Sequence, residues 1–242
     1  MSAVLLAAEG LTKRFGSFVA VDGVSFTVRE GERLGVIGPN GSGKTTLINC
    51  IAGRLRPDEG SIQFAGQDMT RLHAYRRAQL GIARTFQIPQ PFQGMSLLEN
   101  LLVPLGFGAK GPTADHEDQV DAAMKILASL GLEAKAQARC QALSQVELRK
   151  LELARALAGR PRLLISDEAM AGLSGQEVDE ILDILFALAG RGIAVVMIEH
   201  IMRAIMRFSE NVICIMAGKL VASGKPDEIV RDPQVQKAYL GE

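Results

Sequence analysis

The run Gly38-Pro39-Asn40-Gly41-Ser42-Gly43-Lys44-Thr45-Thr46 combines bare backbone, one cation and three hydroxyls, and fits G-x-x-x-x-G-K-[ST] at every fixed position. Gly41 and Gly43 let successive N–H groups approach and point at the oxygens of a phosphate chain. Lys44 can reach the β- and γ-phosphates as a point charge, and the Thr45 hydroxyl can take one position on Mg²⁺, a hard cation that prefers oxygen. Three further groups stand where they could act on such a chain. Asp167 and Glu168 close the apolar run Leu163-Leu164-Ile165. Asp167 can hold Mg²⁺ directly or through water and Glu168 can polarise an attacking water, the alternative being that the pair caps the next helix. His200 follows the β-branched run Ile193 to Ile198; it is either a structural histidine or one placed at a strand end to reach a γ-phosphate. Gln87, before Ile88-Pro89-Gln90-Pro91-Phe92, carries an amide on a rigid loop that can coordinate Mg²⁺, hold water or satisfy backbone. Phe15, ahead of Gly16, can stack on a purine or pack in the core.

These groups need particular supports. Arg33 to Ile37 reads as a short strand and Thr46 to Leu55 as a helix, so the glycine loop lies between strand and helix, with the helix dipole behind the phosphates. Residues 4–9, 19–28 and 61–65 read as antiparallel strands. Asp68 to Gln79 reads as a helix, Gly81 to Gln87 as a strand, and Met95 to Leu105 and Gln119 to Leu130 as helices joined by a loop over Gly106 to Pro112. Gln145 to Ala158 has Leu148, Leu151, Ala154 and Leu157 at three-residue spacing, with Glu147, Arg149, Lys150, Glu152 and Arg155 filling the remaining face. Ser144 and Glu147 are in capping-box register at its start. Leu163 to Glu168 reads as a buried parallel strand, with carboxylates where open α/β sheets bind ligands. A helix over Gln176 to Ala189 and a strand over Ile193 to Ile198 follow.

At 242 residues and 48% hydrophobic, the chain can bury a large core. Lys plus Arg equals Asp plus Glu at 27 each, so bulk charge argues for neither nucleic acid nor an anionic membrane, and no nucleic-acid partner is expected. Cys50, Cys140 and Cys214 lack metal or redox spacing and are expected to be bland thiols in a reducing compartment. No apolar run approaches the roughly 18 residues of a membrane span, so a cytoplasmic location is expected, with a membrane reached through a partner.

The glycine loop resembles the P-loop NTPase pattern. With the Gln87 loop, the helix opened by Leu143-Ser144, Asp167-Glu168 and His200 in that order, essentially the whole chain is similar to the ATP-binding subunit of an ABC transporter. Ile82 to Gln87, Leu98 to Val103, Ala171-Gly172-Leu173, Ile198-Glu199-His200 and the tail from Asp232 to Gly241 resemble the branched-chain amino-acid uptake subfamily. The resemblance implies an α/β fold, a P-loop NTPase RecA-like core with an antiparallel β portion and an inserted helical lobe. It implies one ABC ATPase domain over 1–242, with 1–88 and 160–242 as core and 89–159 as helical subdomain. By the same resemblance, ATP and Mg²⁺ are the cofactors and Gly38, Asn40, Gly41, Ser42, Gly43, Lys44, Thr45 and Thr46 cradle the nucleotide, with Phe15 stacking on adenine. Thr45, Gln87 and Asp167 serve the metal; Glu168 is the catalytic base, His200 the switch histidine, and Gln87 the link to a membrane subunit. The implied partners are integral membrane permease subunits, a second ABC ATPase chain, identical or not, and indirectly a periplasmic or extracellular substrate-binding protein, the cassette lying peripherally on the inner face of the cell membrane.

The chain departs from the family in three places. The signature Leu-Ser-Gly-Gly-Gln is Leu143-Ser144-Gln145-Val146-Glu147. In a family that closes two ATPs between two subunits, this segment completes the opposite subunit's site. Val146 adds a β-branched side chain there and Glu147 a negative charge near polyphosphate. Ser166 replaces an apolar residue and Ala169 the usual proline. Ser174 stands where an Asp or Asn often crosses the dimer seam. The leading expectation is an ATPase powering import of hydrophobic amino acids. The alternative is a low-turnover, nucleotide-responsive regulatory subunit. A soluble ABC protein of repair or translation fits less well, since tandem cassettes and long coiled-coil insertions are absent.

Overall fold

The computed structural model describes residues 2–107 and 116–240. Strands β1 (Val4–Phe15) and β2 (Phe18–Arg29) form a long hairpin, followed by β3 (Arg33–Ile37), the glycine loop and α1 (Lys44–Ile51). β4 (Glu59–Phe64), β5 (Gln67–Asp68), α2 (Ala74–Gln79) and β6 (Ile82–Arg84) come next. Helices α3 (Leu97–Phe107), α4 (His116–Ser129) and α5 (Gln145–Ala158) precede β7 (Leu163–Asp167), α6 (Gly175–Gly190) and β8 (Ala194–Ile198). Beyond His200 lie α7 (Met202–Phe208), β9 (Asn211–Met216), β10 (Lys219–Gly224), α8 (Pro226–Arg231) and α9 (Pro233–Leu240).

The strands form two sheets: an antiparallel one in order β2-β1-β4-β5 and a mixed one in order β10-β9-β3-β8-β7-β6. In the second, only the β9–β10 pairing is antiparallel. Its inner strands are apolar on both faces, as parallel strands covered on both sides must be. The two-residue alternation divides them between two cores. Ile165, Val196 and Ile198 pack toward Leu6, Val28, Ile62 and Phe64 of the antiparallel sheet, whereas Leu164, Val195 and Met197 pack toward Ile181, Leu185 and Phe208. A third cluster joins α3, α4 and α5 through Leu97, Leu101, Leu127, Leu151 and Ala154. Cys50, Cys140 and Cys214 are buried and unpaired, and burial pushes the Cys50 and Cys214 thiols up to about 11. No helix among the described residues is long and apolar enough to cross a membrane.

Several expected elements change length. The helix expected from Asp68 begins only at Ala74, because Asp68 pairs with Gln63 in the sheet and its carboxylate accepts the Thr70 backbone and hydroxyl protons at 2.8 and 2.6 Å. Such local side-chain bonds compete with a first helical turn. The strand expected over Gly81 to Gln87 keeps only Ile82–Arg84, leaving the sheet ahead of Ile88-Pro89. The first strand runs on to Phe15, absorbing Gly10 in a register shift between Ala8 and Leu11. Helix α3 continues through Gly106 to Phe107, and the rest of the loop expected there lies outside the described residues. Helix α5 has its expected bounds, but its charged positions are not a solvated face: Arg149, Lys150 and Glu152 are all buried. The helix is wedged between the mixed sheet and α3–α4, so these charges find partners inside the protein.

Candidate functional site

The parallel strands set the site by ending together. Val36 of β3 pairs in register with Ile198 of β8, and Ile198 also pairs with Asp167 of β7, so the glycine loop, Asp167-Glu168 and Glu199-His200 leave the sheet at one edge. That edge is where open α/β sheets place ligands.

The glycine loop is held tightly from outside. A Cβ on Gly38, at φ +148°, would lie 2.1 Å from the Ile215 carbonyl, and one on Gly43, at φ +104°, would lie 2.3 Å from the Ala20 carbonyl. Only glycine permits both approaches. The second contact seats the β1–β2 hairpin against the loop, and the Gly218 N–H donating to the Ser42 carbonyl at 2.9 Å closes the cradle from the β9–β10 turn. Lys44 is buried, and its Nζ donates to the carbonyls of Gly38 at 2.6 Å and Pro39 at 3.0 Å. Burial pushes this ammonium below its ordinary value, opposed first by the Glu168 carboxylate. Ser42 Oγ is buried without a hydrogen-bond partner, and Thr45 is exposed at the first turn of α1. Thr46 is half-buried on that turn, and Asn40 and Gly41 line the open side of the loop. Bare backbone, one cation and an exposed hydroxyl suit a phosphate chain with a hard cation.

Glu168 collects the other groups. Gln87 Nε2 donates to its Oε2 at 2.5 Å, and His200 Nε2 lies within hydrogen-bond distance of its Oε1 at 2.7 Å. Glu168 has left-handed backbone, φ +47°, and its N–H donates to the Ile198 carbonyl across the strand ends. A non-glycine residue in this region marks a locally imposed geometry of the kind that clusters at functional sites. Three residues read separately from the sequence therefore meet on one carboxylate.

Asp167 is buried, and one of its oxygens accepts from Arg84 Nη2 at 2.6 Å; Arg84 Nη1 donates to Asn49 Oδ1 at 2.6 Å. Glu199 is 2% exposed and accepts the Met170 N–H at 2.9 Å. Burial, reinforced by the Glu168 charge, raises its carboxyl to about 7. Arg149 donates to the carbonyls of Phe86, Gln87 and Ala171. The sequence alone assigns no role to Arg84, Asn49, Arg149 or Glu199, although Arg84 and Glu199 lie in stretches that carry the family resemblance. Arg84 stands in an otherwise apolar strand, which is a signal that could have drawn attention to it.

The remaining expected residues are dispersed. Phe15 sits at the tip of the β1–β2 hairpin, 49% exposed, with Lys13 Nζ 5.7 Å from its ring centroid. Ser144 caps α5, with its Oγ accepting from the Glu147 N–H at 3.3 Å while the Glu147 carboxylate accepts the Ser144 N–H at 2.9 Å. Lys135 Nζ reaches both Glu147 oxygens, at 2.6 and 2.8 Å. This ammonium, then the Ser144 N–H, holds the Glu147 carboxyl below its usual range. Val146 is half-buried against the second core. Gln145 is exposed, and its amide would lie 2.9 Å from a Cβ on Gly172. Ser174 caps α6 in a capping box with Glu177. Ser166 is fully buried with its hydroxyl unpaired, and nothing in the structure explains it.

Comparison with known proteins agrees with this architecture. The family model described as ABC transporter matches residues 21–171, and one described as branched-chain amino acid ATP-binding cassette transporter matches residues 219–242. The chain is 36% identical to the high-affinity branched-chain amino acid transport ATP-binding protein BraF of Pseudomonas aeruginosa, covering 100% of both chains. It is 37% identical to the lipopolysaccharide export system ATP-binding protein LptB of Acidithiobacillus ferridurans, over 98% of this chain and 97% of that one. Among solved structures, the ADP conformation of the ATP-binding cassette MJ1267 superposes with a TM-score of 0.91 at 33% identity, covering all of both chains. A dimeric post-hydrolysis structure of the cassette MJ0796, bound to ADP and Pi, gives 0.82 at 26% identity, covering 92% of this chain and 99% of that one. The chain belongs to the ABC transporter family and is one of its ATP-binding subunits, an ATPase.

Proposed function

We propose that this ATPase powers a membrane importer for branched-chain or other hydrophobic amino acids, and that Glu168, with Gln87 and His200, forms its hydrolytic centre. The observation that carries the hydrolytic part is the convergence of Gln87 and His200 on Glu168 at 2.5 and 2.7 Å beside the glycine loop. In this reading the loop N–H groups and Lys44 hold the phosphates of ATP, and Glu168 accepts a proton from the attacking water. His200, within hydrogen-bond distance of Glu168, supplies a donor toward charge developing on the γ-phosphate. Thr45, Asp167 and the Gln87 amide oxygen would hold Mg²⁺; these are the hard oxygen donors that ion takes, and bound there it would neutralise phosphate charge. Phe15, half exposed on a hairpin seated against the loop, is the candidate adenine stack.

The transport part draws on the match at residues 219–242 and the likeness to BraF. A cavity of about 390 Å³ gives it a physical counterpart. Phe86, Phe92, Val103, Pro104, Ala156 and the exposed Phe107 line it. We assign this groove to a short cytosolic helix of a permease subunit, which would keep the cassette on the inner face of the membrane, with a separate binding protein delivering substrate. The groove lies between the α/β portion and the helices, in accord with a single domain whose core is 1–88 and 160–242 and whose helical lobe is 89–159. The test is uptake of radiolabelled leucine and valine by cells expressing this chain with the permease genes that neighbour it. Uptake that requires Glu168 is expected. A complex that forms and hydrolyses ATP yet moves neither amino acid would overturn the substrate assignment and leave the ATPase reading standing.

A further inference from the structure

Arg149 is 6% exposed, and its guanidinium, like that of the buried Arg77, donates to backbone carbonyls, but those it reaches flank Gln87 and Glu168. Nη1 donates to the carbonyls of Phe86, at 3.3 Å, and Gln87, while Nη2 donates to the carbonyl of Ala171 at 3.3 Å. Its hydrogen bonds go to carbonyls of two separate loops, one carrying Gln87 and the other following Glu168, and the residue itself belongs to α5. Glu199 and Glu152 balance the charge from a distance. Glu199 in turn accepts the N–H of Met170, the neighbour of Ala171. The two loops are thus gripped from behind by a buried cation and a buried acid, while in front their side chains meet as Gln87 and Glu168.

We propose that Arg149 is a positioning residue that makes the Gln87–Glu168 contact depend on the seating of α5. The helix carries the guanidinium, so moving α5 relative to the sheet pulls on both loop backbones at once and separates the two side chains. An arginine is required because its rigid fork places one nitrogen on each loop; an ammonium is a single point and can serve only one of them. This proposal rests on the assignment of Gln87 and Glu168 as reacting groups, and its test reports on the two separately.

The experiment compares the purified protein with Arg149→Lys and Arg149→Met in steady-state ATPase kinetics, in binding of trinitrophenyl-ATP, and in hydrogen exchange. Both variants are expected to lose about 10²-fold in kcat, the scale of a small misplacement at a reacting centre. Nucleotide affinity should change little, and backbone exchange should quicken in 86–92 and 170–174 but not in β3. Several results would overturn the proposal. They are unchanged kcat, lost kcat without faster exchange in those two loops, full rescue by lysine, or a general rise in exchange across the core. Failure of Arg149→Lys to fold would also count against it, as that outcome marks a purely structural residue. If Glu168→Gln retained full turnover, the reacting-group assignment would fail, while the exchange data would still decide whether Arg149 clamps the loops.

Discussion

Glu199 shows how the site is tuned by side chains that touch no phosphate. It is buried, it faces the charges of Glu168 and Arg149, it accepts backbone protons from Met170 and His200, and its carboxyl is raised to about 7. In the unfolded chain the same group ionises near its ordinary 4.5. Between these values the unfolded state loses its proton first, so stability falls as pH rises from about 4.5 to about 7 and stays lowered above that. Glu199→Gln keeps an acceptor for the Met170 N–H and removes the charge. It is expected to be more stable than the wild type at pH 8, by on the order of 1–3 kcal/mol, with the gap closing toward pH 5. Thermal melting across that range checks it, and a gap independent of pH would refute the assignment. The groups legible in the sequence, Lys44, Asp167, Glu168 and His200, lie where a local pattern and a strand end fix them. The burial of Arg149 and Glu199 and the pairing of Arg84 with Asp167 were not legible. Whether a charged residue is buried depends on what packs over it, and α5 reads as amphipathic until the sheet covers its charged side.

At the scale of elements, legibility follows how local the determinants are. The bounds of α5 and its Ser144–Glu147 capping box were readable because cap and periodicity lie within one segment. The helix expected from Asp68 shortened because pairing with β4 competed for the same residues. The start of α5 also carries the chain's clearest departure from its family. Its first N–H groups would suit an anion, yet Glu147 already accepts the Ser144 N–H and is paired with Lys135. This helix end therefore carries its own carboxylate. We propose that in a pair of identical chains each site meets that carboxylate rather than open backbone. Replacing Gln145→Gly, Val146→Gly and Glu147→Gln together should raise the basal ATPase rate of this protein alone, by on the order of 10²-fold if one well-placed donor is regained. Equal rates before and after replacement would show that Ser144 and the helix end suffice as they stand.

At the scale of the molecule, one sheet edge gathers the glycine loop, the strand-end acids and the histidine, and the apolar groove lies beside the loop that carries Gln87. In the proposed mechanism Glu168 performs the proton transfer of ATP hydrolysis, whereas Lys44 and the glycine loop do the binding. Removing base function typically costs roughly 10²- to 10⁴-fold in rate and leaves the phosphate contacts intact. Removing the buried ammonium leaves the loop without its cation. The decisive measurement is size-exclusion mass and bound nucleotide after incubation with ATP and Mg²⁺, for the wild type, Glu168→Gln and Lys44→Ala. Glu168→Gln is expected to elute as a dimer retaining uncleaved ATP, and Lys44→Ala as a monomer without nucleotide. Bound nucleotide cleaved to ADP in Glu168→Gln as in the wild type, or ATP held equally by Lys44→Ala and the wild type, would contradict these assignments.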